Sequence, residues 1–188
     1  MRYEKIKQNN NYTCAPACLQ MILKRNNIRY DTQEEIGYDL GLIVPEKDKH
    51  LFKKVRTGKK PIAGYGTQVQ EEKYSINNYF IKNKIPLNYE CQYIDDYERT
   101  KEFLFDNKNN DIMICLDYGV LYDKNYTGGH LVVIDNINNE LVTLIDPYRD
   151  SNYETVQLEK IVAAIKKHGK EKAAGFWLIK KVWNIEKH

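Results

Sequence analysis

No run of this chain is apolar for long enough to cross a bilayer as a helix, which takes about 20 consecutive residues. Charge of one sign is lacking too: 29 Lys and Arg stand against 26 Asp and Glu, a net +3. That excess is too small to argue for a nucleic-acid partner, and none is expected. Cysteine is scarce, with only Cys14, Cys18, Cys91 and Cys115. Disulfide frameworks belong to short secreted chains, so free thiols are expected here. Cys14 and Cys18 are too far apart in sequence for a CxxC pair. No other cysteine–histidine cluster supplies four ligands, so neither a structural zinc site nor any other metal or cofactor is expected. Met1–Asn11 is polar and has no apolar core of a signal peptide, which gives the expectation of a cytoplasmic protein.

What is present is ordinary globular material. Charged residues make up 29% and hydrophobic residues 42% of 188. That length suits a single domain, 1–188, large enough to bury a core without covalent staples. There is no internal repeat and no low-complexity linker. Basic residues gather at 47–60 (Lys47, Lys49, Lys53, Lys54, Arg56, Lys59, Lys60). A solvated loop explains them, and an anionic partner or substrate tail is the alternative.

The pattern predicts a largely buried helix over Ala15–Arg25, apolar on most of its circumference. Pro16 is tolerated only in a first turn, so the helix should begin at Cys14. Thr32 and Glu35 form a capping box for a short helix ending near Gly41. Residues 42–66 read as an irregular excursion. Thr67 is expected to cap a helix reaching about Lys84, followed by a strand at 85–94 and a helix at 96–107. Ile112–Tyr118 reads as a strand, 119–128 as a loop, and His130–Asn136 and Glu140–Asp146 as a hairpin turning at Asn138-Asn139. A helix at 157–168 and a strand at Gly175–Trp183 complete the chain. Helices first and an antiparallel sheet after them make an α+β fold.

Cys14 alone would read as a small buried hydrophobe. Its place at a helix start changes that, because free N–H groups and the helix dipole favour a thiolate there. A thiol nucleophile needs an imidazole, and the imidazole needs an orienting partner. Of four histidines, His188 is terminal, His50 sits in the basic loop, and His168 reads as a favourable charge ending a lysine-rich helix. His130 opens an apolar strand just after Gly128-Gly129, where the absence of side chains permits close approach. Asp146 ends the neighbouring strand before Pro147, and the hairpin count puts it near the cross-strand position of His130. Gln8 precedes Cys14 by six residues. Its amide could join the Cys14 N–H in holding an oxyanion. Cys18 reads as a core residue, and Tyr118 and Tyr148 as either cleft-lining or exposed turn residues.

Gln8, the string Thr13-Cys14-Ala15-Pro16-Ala17-Cys18-Leu19-Gln20-Met21-Ile22-Leu23, and His130 followed sixteen residues later by Asp146-Pro147 together resemble the bacteriocin-processing peptidases. That family is the papain-like domain fused to peptide-exporting transporters, and it also occurs in stand-alone proteins. Thr13 and Ala15 stand where the family usually has Asp and Gly, and neither change removes a catalytic group. The resemblance implies a papain-like cysteine peptidase acting on a peptide or protein substrate. Cys14 would be its nucleophile, His130 and Asp146 its partners, and Gln8 its oxyanion donor. Acyl transfer by the same residues and a silent binding module are the competing readings. Segment 42–66 is unlike the leader-binding region of transporter-linked members, so the expectation stops short of double-glycine leader removal.

Overall fold

The computed structural model describes residues 2–182. The first helix, α1 (Cys14–Arg25), begins where Pro16 requires and buries Ala15 through Leu23. A second helix, α2 (Gln33–Asp39), carries the complete capping box: Thr32 accepts from the Glu35 N–H while the Glu35 side chain takes the Thr32 N–H. The excursion that follows holds two short paired strands, β1 (Ile43–Val44) and β2 (Arg56–Thr57).

Next comes α3 (Ile76–Lys82), which Ser75 caps by accepting from the Asn77 N–H at 3.2 Å. The expected start at Thr67 is therefore wrong. Residues 67–75 are tied down by other bonds instead. The Gln68 N–H donates to the Leu40 carbonyl at 2.9 Å. The Gln68 side chain donates to the carbonyls of Gly64 and Gly66, each at 3.0 Å.

Then follow β3 (Leu87–Gln92), α4 (Tyr97–Asp106) and β4 (Asp111–Asp117). The expected loop after β4 opens instead as a short helix, α5 (Tyr118–Tyr122), capped by Asp117, whose Oδ1 accepts from Val120 N–H at 2.9 Å. The hairpin is as expected, with β5 (Gly129–Asn138) and β6 (Leu141–Ile145) joined through Asn139 in the left-handed region. An edge strand that the sequence pattern did not reveal, β7 (Glu154–Gln157), precedes α6 (Leu158–His168). The last strand is β8 (Gly175–Lys181). The expected end at Trp183 lies outside the described residues.

Six strands form one antiparallel sheet in the order β3-β8-β4-β5-β6-β7. Alternate residues of β5 feed two cores, as the two-residue period of a strand requires. Leu131 and Val133 pack with Leu19 and Ile22 of α1. Val132 and Ile134 pack with Leu104 of α4 and Ile161 and Ile165 of α6. Each such side chain contributes about 1.5–3 kcal/mol on burial. Helices thus cover both faces, α1 on one and α4 with α6 on the other, which explains why β4 is apolar without alternation. The fold is the expected α+β arrangement, with a second helical layer that the order of elements did not announce.

Candidate active site

Three elements converge at one end of the sheet. The N-terminus of α1 brings Cys14, the start of β5 brings His130, and the residue just past β6 is Asp146. A bulge between Ile134 and Asn136 sets the hairpin register, with Val133 opposite Ile145. Continued, that register puts Asp146 opposite Val132 and diagonal to His130 on the same face, rather than directly across from it. A diagonal gap is within reach of an imidazole. His130 Nε2 lies 2.8 Å from Asp146 Oδ1, and Cys14 lines the same cleft as His130.

Asp146 is fully buried, at 0% exposure, so it needs donors. It has three: His130, the Tyr122 hydroxyl on Oδ2 at 2.7 Å, and the Tyr148 backbone N–H on Oδ1 at 2.7 Å. Burial alone would raise its pKa, but these bonds and the His130 charge overcome it and hold the carboxyl below its usual range. His130 is likewise buried. Desolvation pulls its pKa down, yet the bond to Asp146 and the nearby Cys14 prevail and raise it to about 9. The edges and faces of tyrosines enclose the ring: Tyr118 meets it at 5.3 Å and Tyr148 at 6.4 Å between centroids, both T-shaped. Both tyrosines therefore belong to the surroundings of the site. Arg149 sits over the Tyr122 ring at 4.5 Å.

Cys14 stands at a helix start with no acidic residue in the first turn and no side-chain cap, so its N–H donors are not claimed by the protein. Thr13, just before it, accepts instead from the Asn9 and Asn10 N–H groups at 3.1 and 3.3 Å, which shapes the loop leading into the helix. Gln8 is tied to the Asp146 segment through its backbone, whose N–H donates to the Pro147 carbonyl at 3.0 Å. Its amide nitrogen donates once, to the Asn10 carbonyl at 2.6 Å, and its Oε1 is buried without a partner. Gln8 is not among the residues lining the cleft that Cys14 and His130 share.

That cleft, of about 580 Å³, runs between residues 60–70 on one side and 126–131, 167–173 and Trp177 on the other. His168 lines it, which corrects the sequence reading. It is 5% exposed, and burial, with Lys172 nearby, lowers its pKa, so it is a neutral ring rather than a helix-end charge. A Cβ on Gly129 would come within 2.5 Å of that ring, which is why glycine is needed there. Sequence reasoning missed Tyr122 and His168. Tyr122 lies on a helix the pattern did not signal, and His168 could have been flagged only by the apolar face of α6. Cys18 is a core residue as expected, its thiol 3.3 Å from the Leu131 carbonyl. All four cysteines are free. His50 is on the surface, held to the Lys47 carbonyl at 2.8 Å. Among the described residues no group of His, Cys, Asp and Glu is arranged to hold a metal ion, and no helix is long and apolar enough to cross a membrane.

A sequence model of the Peptidase_C39 like family matches residues 2–173. The chain belongs to this family. Among solved structures it is similar to a Bacillus anthracis protein described as a C39-like peptidase, with 16% identity and a TM-score of 0.60, covering 95% of this chain and 94% of that one. It is also similar to a double glycine motif protease from an AMS/PCAT transporter, solved with its leader peptide. That match has 14% identity and a TM-score of 0.51, covering 95% of this chain and 91% of the other. At such identities the likeness is one of fold, and the fold is that of the papain-like C39 peptidases. No curated protein matches the sequence significantly.

Proposed function

We propose that residues 1–188 act as one catalytic domain, a cysteine peptidase that hydrolyses a peptide bond in a peptide or protein substrate. The observation that carries this reading is that the buried His130 imidazole is bonded to Asp146 and shares one cleft with Cys14 at the start of α1. Family membership and the shared fold support it.

In this mechanism the Cys14 thiolate, paired with the His130 imidazolium, attacks the scissile carbonyl carbon. The oxygen becomes an oxyanion, held by the Cys14 N–H and by the second N–H of the Gln8 amide. Collapse breaks the C–N bond, and His130 gives its proton to the leaving amine. Neutral His130 then takes a proton from water as the water attacks the thioester. The second collapse releases the acid and restores the thiolate–imidazolium pair. Asp146 keeps the ring oriented and supports its charge, and Tyr122 and the Tyr148 N–H keep Asp146 in place. The unpaired cysteines fit a reducing compartment such as the cytoplasm.

The test is a peptide-library cleavage profile of the wild type beside Cys14→Ala. Wild-type cuts that vanish in Cys14→Ala are expected. Including primary amines in the incubation separates the outcomes: free carboxylates at the cut mean hydrolysis, while amide adducts without hydrolysis would replace the peptidase reading by acyl transfer.

A further inference from the structure

The cleft that holds Cys14 and His130 is strongly asymmetric in charge. Lys60, from the segment before Gly64, and Lys167 and Lys172, from the end of α6 and beyond, all line it. None of the three is in an ion pair among the described residues. Asp117 is the only carboxylate among the lining residues, and its Oδ1 is already engaged by the Val120 N–H at 2.9 Å. His168, which also lines the cleft, is buried there without adding a charge. Three lysines against a single lining carboxylate leave the cleft with an excess of positive charge.

We propose that this cleft selects a carboxylate in its substrate, held between Lys60 on one side and Lys167 with Lys172 on the other, close to the bond that Cys14 attacks. The choice of a peptide as its carrier rests on the peptidase reading above. A carboxylate is the anion that peptides carry, as an Asp or Glu side chain or as the chain end. No arginine lines the cleft, so the planar fork suited to phosphate is missing and the site offers flexible point charges instead. Lys60 belongs to the basic cluster at 47–60, and this gives part of that cluster a task. Lys54 and Arg56 of the same cluster instead stack on Tyr38, at 3.9 and 4.0 Å.

The test compares two alkylating reagents of similar size, anionic iodoacetate and neutral iodoacetamide. Their rates at Cys14 are read by peptide-mapping mass spectrometry, with exposed Cys91 as the internal reference. Measurements are made on the wild type and on a Lys60→Gln/Lys167→Gln/Lys172→Gln variant. The iodoacetate-to-iodoacetamide ratio at Cys14, relative to Cys91, is expected to fall by about tenfold in the variant at low salt. In the wild type it should fall toward the variant's value as added salt screens the lysines. Comparing variant with wild type removes the contribution of the His130 charge, which both share. An unchanged ratio overturns the proposal. The readout needs no turnover, so a failure of the peptidase reading would appear separately, as an absence of cleavage with the ratio intact.

The source of the carboxylate is read by binding of Cys14→Ala protein to peptide pairs. Preference for internal Glu over Gln assigns it to a side chain, and preference for a C-terminal acid over the amide assigns it to the chain end. Equal binding within both pairs overturns the proposal.

Discussion

His130 and His168 are both buried, at 7% and 5% exposure, and both line one cleft, yet their protons behave in opposite ways. Burial lowers the pKa of each. At His168 nothing outweighs it, since the nearby Lys172 charge pushes the same way. At His130 the bond to Asp146, with Cys14 nearby, reverses it, and the pKa rises to about 9. Burial therefore does not decide whether an imidazole can serve as a charged partner. The decision lies with what the surrounding elements bring within hydrogen-bonding distance: here a carboxylate at the end of β6, itself held by the Tyr122 hydroxyl and the Tyr148 N–H. The fold spends buried polar groups at one corner and leaves the other neutral.

The comparison is broken most severely by removing each ring. His130→Ala should cut kcat/KM for peptide hydrolysis by about 10³-fold or more, whereas His168→Gln should cost less than about tenfold, because no proton transfer passes through it. Steady-state kinetics on one cleaved peptide measures both.

The next effect is one of pH, with opposite signs at the two rings. His130 has a folded pKa of about 9 against an ordinary 6.5. Its contribution to stability is complete below pH 6.5 and is lost as pH rises through about 9. Activity that depends on the imidazolium should fall over the same alkaline range. His168, lowered from 6.5, works the other way. Its neutral burial is favourable above pH 6.5 and becomes a liability as pH falls. Denaturation midpoints of wild type, His130→Gln and His168→Gln from pH 5 to 10 should show the first variant losing most at low pH. The second should gain relative stability there.

Smaller changes sharpen the geometry. Gly129→Ala drives a methyl into the His168 ring, where the contact would be 2.5 Å, and should cost about 1–3 kcal/mol of stability in urea denaturation. Tyr122→Phe removes the hydroxyl bonded to Asp146 Oδ2. It should cost about 1–1.5 kcal/mol and lower kcat several-fold, with KM little changed.

The placement of Cys14, His130 and Asp146 at the ends of their elements was legible in the sequence because each sits at a punctuated boundary. Pro16 marks the helix start, Gly128-Gly129 the opening of β5, and Pro147 the end of β6. The hairpin was legible from its asparagines and its apolar strands. Residues whose position depends on tertiary contacts were not. The bulge after Ile134 shifts the register so that Asp146 reaches His130 diagonally, and no local signal announces it. Thr67 had the chemistry of a cap, but the Gln68 bonds to Gly64, Gly66 and Leu40 hold that stretch out of helix and pass the role to Ser75. His168 was misread because a lysine-rich helix end looks solvated, and only the packing of α6 against the sheet shows that it is not. Gln8 was singled out from its spacing, and its amide donates to the Asn10 carbonyl instead of lining the cleft, an orientation that only the folded loop sets.

The most direct measurement of the central claim, that one imidazole of the cleft is the charged partner of Cys14, is an NMR titration of the histidine ring protons from pH 4 to 10 in the wild type and in Asp146→Asn. The account predicts that His130 titrates near pH 9, that its midpoint falls markedly in Asp146→Asn, and that His168 titrates below 6.5 in both proteins. A His130 midpoint at or below 6.5 in the wild type, unmoved by loss of the Asp146 charge, would contradict it.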